Sequence, residues 1–362
     1  MPRILFIAAH RPQRSPSQRF RFEQYLGYFQ AQGFDYDFSY LISESDDQVF
    51  YQPGNIPTKA GIFIKSWFRR LSDVVKARDY DLVFVQREAF MTGSTIFEKL
   101  FARSGAKMIF DFDDAIWHFD VSEANKRLGW LKNPSKTATI IGYAHHVIAG
   151  NEYLANYARA YNSNVSVIPT TIDTDYQKPL LLKDPDKTPV CIGWTGSLTT
   201  IKHFRLAEPF LMKIKQMYGD RVSFKLIGDK YYYNADLGIE VVPWTLANEV
   251  EELHTIDIGI MPLPDDEWSK GKCGFKGLQY MAMAVPPVMS SVGVNTEIIQ
   301  HGENGFLAGT EVEWIDQLSN LIENPKLRKD VGDRARMTVI DKYSVLSQRD
   351  VYVGIFKKLT NL

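Results

Sequence analysis

The chain has 362 residues, which suits two domains of about 150 residues each rather than one. With 45% hydrophobic and 23% charged residues it is globular throughout, and 42 Lys and Arg against 43 Asp and Glu, a net charge of -1, exclude a whole-protein field for nucleic acid. Its two cysteines, Cys191 and Cys273, cannot form a disulfide framework or a four-ligand zinc site.

Those cysteines point to a reducing, cytoplasmic setting. The apolar run at residues 4–9 is too short for a signal-peptide core and nowhere do eighteen apolar residues run together, so a chain that does not span a membrane is expected. Residues 4–9 form a strand that leads through a polar loop, 10–18, into a helix over 19–32 ended by Gly33. Strands follow at 82–85, 108–110, 147–149 and 165–168, with helices such as 94–103 and 153–160 between them. Apolar runs without alternation argue for a parallel sheet covered on both faces. From 168 to 190 the periodicity stops, and Pro169, Pro179, Pro185 and Pro189 mark an interdomain linker. The pattern restarts with strands at 190–194, 222–227, 239–242, 258–261 and 287–290 and helices at 204–217, 248–253, 276–284 and 296–301. Helices at 311–322, 326–340 and 344–359 close the chain. The expected domains are residues 1–169 and 170–343, with a C-terminal helix over 344–362 that stays on the second or crosses back to the first. Open α/β sheets bind ligands beyond the carboxyl ends of their strands, where Gly193 to Ser197 and Gly228-Asp229 sit.

The stretch Lys272-Cys273-Gly274-Phe275-Lys276-Gly277 is a glycine-flanked loop running into a helix. Gly274 and Gly277 allow close backbone approach, and a helix start near Phe275 presents N–H groups and the positive end of a dipole. That is an anion site. Lys276, Gln279 and Tyr280 fall at i, i+3 and i+4 on one face, with Lys272 just before, which suits a diphosphate carrying a ribose. The plainer reading is a core helix stopped by Pro286-Pro287.

The succession Gly259-Ile260-Met261-Pro262-Leu263, Lys276 to Ala282, Pro287-Val288, Glu297-Ile298-Ile299 and Gly302 to Leu307 resembles the retaining glycosyltransferases of family 4, and the order of elements extends the likeness over nearly the whole chain. Ile168 to Asp173 is similar to the family's interdomain segment, and Gly196 with Lys202 to its phosphate loop. The resemblance implies an α/β chain of GT-B architecture: two facing Rossmann-like domains with parallel sheets and a cleft between them. It also implies a nucleotide-sugar donor on the second domain, a glycan, lipid-linked or other acceptor on the first, transfer with retention, and no cofactor. The family's commonest setting is cell-surface polysaccharide assembly. On this reading Gly196, Ser197, Lys202, Trp244, Lys272, Gly274, Phe275, Lys276 and Gln279 hold the donor, Lys202, Lys272 and Lys276 neutralise the diphosphate, and Trp244 flanks the base. Lys276, Lys202 and Asp113 are the catalytic candidates. Two positions depart from the family: its glutamates, eight positions apart, correspond to Gly271 and Gln279, and Ser197 stands where an arginine is usual. The carbonyl of Gln279 can still accept from ribose hydroxyls.

Several readings stay open. Asp111-Phe112-Asp113-Asp114 after the strand at 108–110 is a metal-binding pair for a diphosphate, an acceptor-side site at Asp113 or Asp114, or a cap for the turn before Ile116. Arg19 and Arg21 either form a fork that reaches donor phosphates across the cleft or start a helix in solvent. Residues 61–71, rich in bulky apolar and basic side chains, either touch a membrane interface on the cytoplasmic side or form an ordinary amphipathic helix over the sheet. His145 and His146 lack companion ligands and are structural. A nicotinamide oxidoreductase is disfavoured because no G-x-G-x-x-G is completed. A GT-B protein without catalysis, acting as a binding partner, and a nucleotide-sugar epimerase are the alternatives to a transferase.

Overall fold

A computed structural model describes residues 1–52, 54–118, 133, 135–180, 184, 186–228 and 230–362. Pro185 of the expected linker and Asp229 lie outside the described residues. The chain divides into two compact units, Met1–Thr170 with Gln348–Leu362, and Thr171–Ser347.

The first unit carries six parallel strands: β1 (Arg3–His10), β2 (Asp35–Ile42), β3 (Leu82–Gln86), β4 (Lys107–Phe112), β5 (His146–Ala149) and β6 (Val165–Val167), in the spatial order β2-β1-β3-β4-β5-β6. β3 and β5 are buried at every residue, as a strand covered on both faces must be. The helix expected over 19–32 is instead α1 (Pro16–Arg19), a 3-10 turn (Glu23–Tyr25) and α2 (Leu26–Ala31). The break at Phe20 to Phe22 lets Arg21 turn inward, fully buried, to Asp111 and to the carbonyl of Ile168. α3 (Glu44–Phe50), α4 (Ile56–Lys76), α5 (Ile96–Ala102), α6 (Ser135–Tyr143) and α7 (Glu152–Arg159) make up the rest of the unit's α-helices before the linker among the described residues.

α4 covers the sheet with Ile62, Ser66, Arg70 and Asp73, while Ile56, Ile64, Trp67, Phe68 and Val75 are exposed. Its apolar side chains therefore lie partly on the outer side. A buried pair, Arg70 with Asp73 at 2.7 Å, fills the inner side, and Arg70 also donates to the carbonyls of Ala8 and Ala89. Among the described residues no helix is long and apolar enough to cross a membrane.

The second unit repeats the plan with β7 (Val190–Thr195), β8 (Val222–Gly228), β9 (Glu240–Pro243), β10 (Ile258–Met261), β11 (Pro287–Ser290) and β12 (Phe306–Ala308), all parallel, in the order β12-β11-β10-β7-β8-β9. Its helices are α8 (Ile201–Phe204), α9 (Glu208–Tyr218), α10 (Glu249–His254), α11 (Glu267–Lys270), α12 (Phe275–Ala282), α13 (Asn295–Ile298), α14 (Glu311–Glu323) and α15 (Pro325–Thr338). α16 (Val345–Thr360) follows, and from Gln348 it belongs to the first unit. There Tyr352 lies 4.8 Å from Tyr25 and Phe356 4.9 Å from Phe29, extending an aromatic core in which Phe6 stacks on Phe22 at 4.9 Å.

Both strand orders reverse direction once, between β1 and β3 and between β7 and β10. At such a reversal the loops leaving the two neighbouring strands part in opposite directions and leave a crevice beyond the strand ends. In the second unit those loops begin at Gly196 and at Pro262.

Candidate functional site

β7 ends at Thr195, and the backbone leaving it is held tight. A Cβ at Gly196 would overlap the Trp194 ring and Thr200, and one at Gly228 would overlap the Gly196 carbonyl, so the loops after β7 and β8 meet backbone to backbone. Ser197 then closes a turn, its N–H donating to Thr200 Oγ1 at 3.0 Å, and delivers Lys202 exposed and His203 buried on α8.

From the other side, α11 ends at Gly271, and Gly274 enters α12 with φ +66°, a conformation that favours glycine. No side chain caps α12, whose first turn carries Phe275 and Lys276. The Lys272 ammonium lies 4.5 Å from the Trp268 ring centroid and that of Lys276 5.5 Å from that of Trp194. Both lysines act on one imidazole: burial, then Lys276, Lys272 and Lys202 in that order, push His203 down to about 4, with Asp266 opposing them. Lysines from two separate segments therefore add to the positive potential at His203. Nothing in the sequence marked that histidine except its place next to Lys202.

Of the face expected to carry Lys276, Gln279 and Tyr280 together, two members turn into the unit. Tyr280 is fully buried; its hydroxyl accepts from the Thr195 N–H at 2.9 Å and donates to the Ile260 carbonyl, tying α12 to β7 and β10. Gln279 is buried too, and its amide nitrogen donates to Glu249 Oε1 at 3.2 Å. Trp244, just after β9, is half-buried and packs against the cluster of Ile227, Leu253, Ile256, Tyr280, Met283 and Val285. Gly271 is buried at the end of α11, with no side chain to offer a ligand.

In the first unit the Asp run divides. Asp111 lies inside β4 rather than after it and is taken by Arg21, so neither the metal reading of Asp111 nor the phosphate fork with Arg21 survives. The buried pair needs each partner to offset the other's desolvation. Arg19 is half-buried, its guanidinium 4.8 Å from the Phe20 ring. Asp113 and Asp114 stand beyond β4 and share Arg87, at 2.7 and 3.8 Å, while Asp114 also caps the turn through the Ala115 N–H. Arg87, which sequence reasoning missed, has φ +60°, a strained backbone for a side chain of that size, at the end of β3 beside the reversal of the sheet. His145, just before β5, accepts from the Met108 N–H of β4, and His146 in β5 pairs with Ser166 of β6. Among the described residues no group of three or more His, Cys, Asp or Glu side chains is gathered to hold a metal ion.

Two six-stranded parallel sheets, each with one reversal and each flanked by helices, make this the fold of the GT-B glycosyltransferases. Residues 189–324, within the second unit, match the family model described as Glycosyl transferases group 1. Solved structures with this fold include sucrose-phosphate synthase from Thermosynechococcus elongatus, at TM-score 0.69 and 13% identity over 99% of both chains. Anabaena HepE in complex with UDP and glucose superposes at TM-score 0.69 with 14% identity, over 99% of this chain and 100% of that one. Among curated proteins, N-acetyl-alpha-D-glucosaminyl L-malate synthase of Bacillus anthracis is 34% identical over 94 residues, 24% of this chain and only a quarter (25%) of that protein's length.

Proposed function

We propose that the chain is a glycosyltransferase that moves a sugar from a nucleoside-diphosphate donor held by the second unit to an acceptor hydroxyl held by the first. The observation that carries this reading is the seat of Lys276: in the first turn of α12 its ammonium lies 5.5 Å from the ring of Trp194, so a cation and a helix start come to the carboxyl end of β7 where the loop at Gly196 begins. His203 is pushed down first by burial and further by three lysines, which makes this a locally positive site; such a site favours an anion with several charges, and a diphosphate fits it. As the bond from the anomeric carbon to the β-phosphate oxygen breaks, charge builds on the diphosphate, and cations fixed there stabilise that state more than the ground state. The anomeric carbon bonds to the acceptor oxygen, whose proton passes to the departing diphosphate oxygen. Lys276 and Lys202 act on the leaving group and Asp113, with Asp114, contacts the acceptor.

The Glycosyl transferases group 1 match, residues 189–324, lies within the unit and includes these lysines, and HepE, of the same fold, is solved with UDP and glucose. Retention follows the family resemblance, and the acceptor reading is a glycan or lipid-linked chain of a cell-surface polysaccharide. The exposed Ile64, Trp67 and Phe68 among the basic residues of α4 support a peripheral contact with an anionic membrane surface from the cytoplasmic side. Gly271 and Gln279, in place of two glutamates, favour a second reading, a protein that binds the donor without turning it over.

A screen of nucleoside diphosphates and their sugars by thermal unfolding tests the first step. A ligand at a hundred times its Kd adds about 2.7 kcal/mol of stability. No stabilisation by any of them overturns the reading. Stabilisation without transfer or hydrolysis selects the non-catalytic alternative, and product stereochemistry decides retention.

A further inference from the structure

Gln279 stands where the resemblance places a ribose-binding glutamate, yet a carboxylate is close by, on another helix. Glu249, the first residue of α10, is 4% exposed and Gln279 3% exposed, and the Gln279 amide nitrogen donates to Glu249 Oε1 at 3.2 Å. A carboxylate only accepts hydrogen bonds, so the amide must turn its NH2 toward Glu249 and its carbonyl away. That carbonyl accepts no hydrogen bond from the described residues. A side-chain amide is otherwise free to flip, with donor and acceptor exchanging places. The bond to Glu249 removes that freedom and polarises the amide, which makes the carbonyl oxygen a better acceptor.

We infer that Glu249 is a positioning residue for the donor's ribose: it fixes Gln279 as an acceptor for the ribose hydroxyls and so supplies from α10 the negative charge that α12 lacks. The inference rests on the nucleotide reading of this unit. Ribose hydroxyls are donors, and an acceptor whose orientation is locked selects for them, because an analogue without them forgoes that bond. Glu249 touches no reacting atom in this account; it acts through Gln279.

The test is calorimetric titration of the full chain with three probes: the ribonucleoside diphosphate that stabilises it best, the 2′,3′-dideoxy form of that nucleotide, and inorganic pyrophosphate. The unaltered protein should prefer the ribonucleotide by at least about tenfold, as expected of a site built to bond hydroxyls. Glu249→Ala should collapse that preference to near parity while leaving pyrophosphate binding within about twofold, since the amide is then free to flip and the lysine site is untouched. Glu249→Gln, whose carbonyl still accepts from Gln279, should keep the preference. Gln279→Glu alone should lose it, because two carboxylates then meet, and Glu249→Gln with Gln279→Glu should regain it. If Glu249→Ala does not fold, these last two variants decide.

An unchanged preference in Glu249→Ala, or equal weakening of all three probes, overturns the inference. So does failure of the exchanged pair to recover, or an unaltered protein that binds both nucleotides equally. A chain that binds no nucleotide at all instead overturns the nucleotide reading on which the inference rests.

Discussion

The ammonium of Lys276 lies 5.5 Å from the centroid of the Trp194 ring, so the cation in the first turn of α12 rests over the last indole of β7. Trp194 is itself buried, and a ring fixed in the core gives the lysine a fixed seat. A cation held in place can stabilise developing charge without first reorganising. Lys276→Ala should therefore lower kcat/KM by at least about a hundredfold, on the order of 2.7 kcal/mol. Lys272→Ala, from a loop, should cost less. Steady-state kinetics on folded variants check this; near-normal turnover in Lys276→Ala with loss in Lys202→Ala would place the diphosphate elsewhere.

Transfer should need no divalent metal. The lysine cluster neutralises the diphosphate on the proposed reading, and Asp111 is committed to Arg21. Activity is expected to survive excess chelator. Complete loss, restored by Mg²⁺ or Mn²⁺, would sink this assignment of roles.

The Arg21 and Asp111 pair is wholly buried and holds the break after α1 against β4. Asp111→Asn removes the charge but keeps the shape, leaving a guanidinium in the core. Breaking one side of a buried pair costs about 3–5 kcal/mol, so the midpoint of denaturant unfolding should fall steeply. A change under about 1 kcal/mol, typical of a surface pair, would show that the pair is solvated after all.

Acid should destabilise the protein at a mildly low pH. His10, His146 and His203 are each pushed down to about 4, first by burial, from an ordinary 6.5. Between those values the unfolded chain binds more protons than the folded one, so stability rises with pH there and is lost as pH falls from about 6.5 toward 4. Thermal melts across that window should show the loss, and His203→Gln should make it shallower. A midpoint independent of pH in the unaltered protein would contradict the burial of these imidazoles.

If α4 touches a membrane, its exposed Ile64 and Phe68 enter the interface. Phe68→Glu should then reduce sedimentation with phosphatidylglycerol vesicles by at least about tenfold, since burying one such side chain is worth about 1.5–3 kcal/mol. Soluble donor turnover should be unchanged. Equal sedimentation of both proteins would remove the membrane contact.

The amino-acid sequence by itself determined the two parallel sheets, because strands covered on both faces must be apolar at every position, and runs such as those of β3 and β10 show it directly. It also placed Lys272 and Lys276 at a helix start, since glycine before a helical period is a local signal. β2 escaped notice because it is an edge strand with a mixed, partly exposed pattern, and β12 because its three residues stand between Gly305 and Gly309, where glycines on both sides read as a loop. What only the tertiary structure decided are partnerships between distant loops: Arg21 with Asp111, Gln279 with Glu249, and His203 among three lysines. Periodicity reports which face of an element is buried, but not which polar side chain from another element meets it there. Tyr280 shows the same limit, since helical spacing put it beside Lys276 and Gln279 while the sheet, by offering a donor at Thr195 and an acceptor at Ile260, drew it into the core.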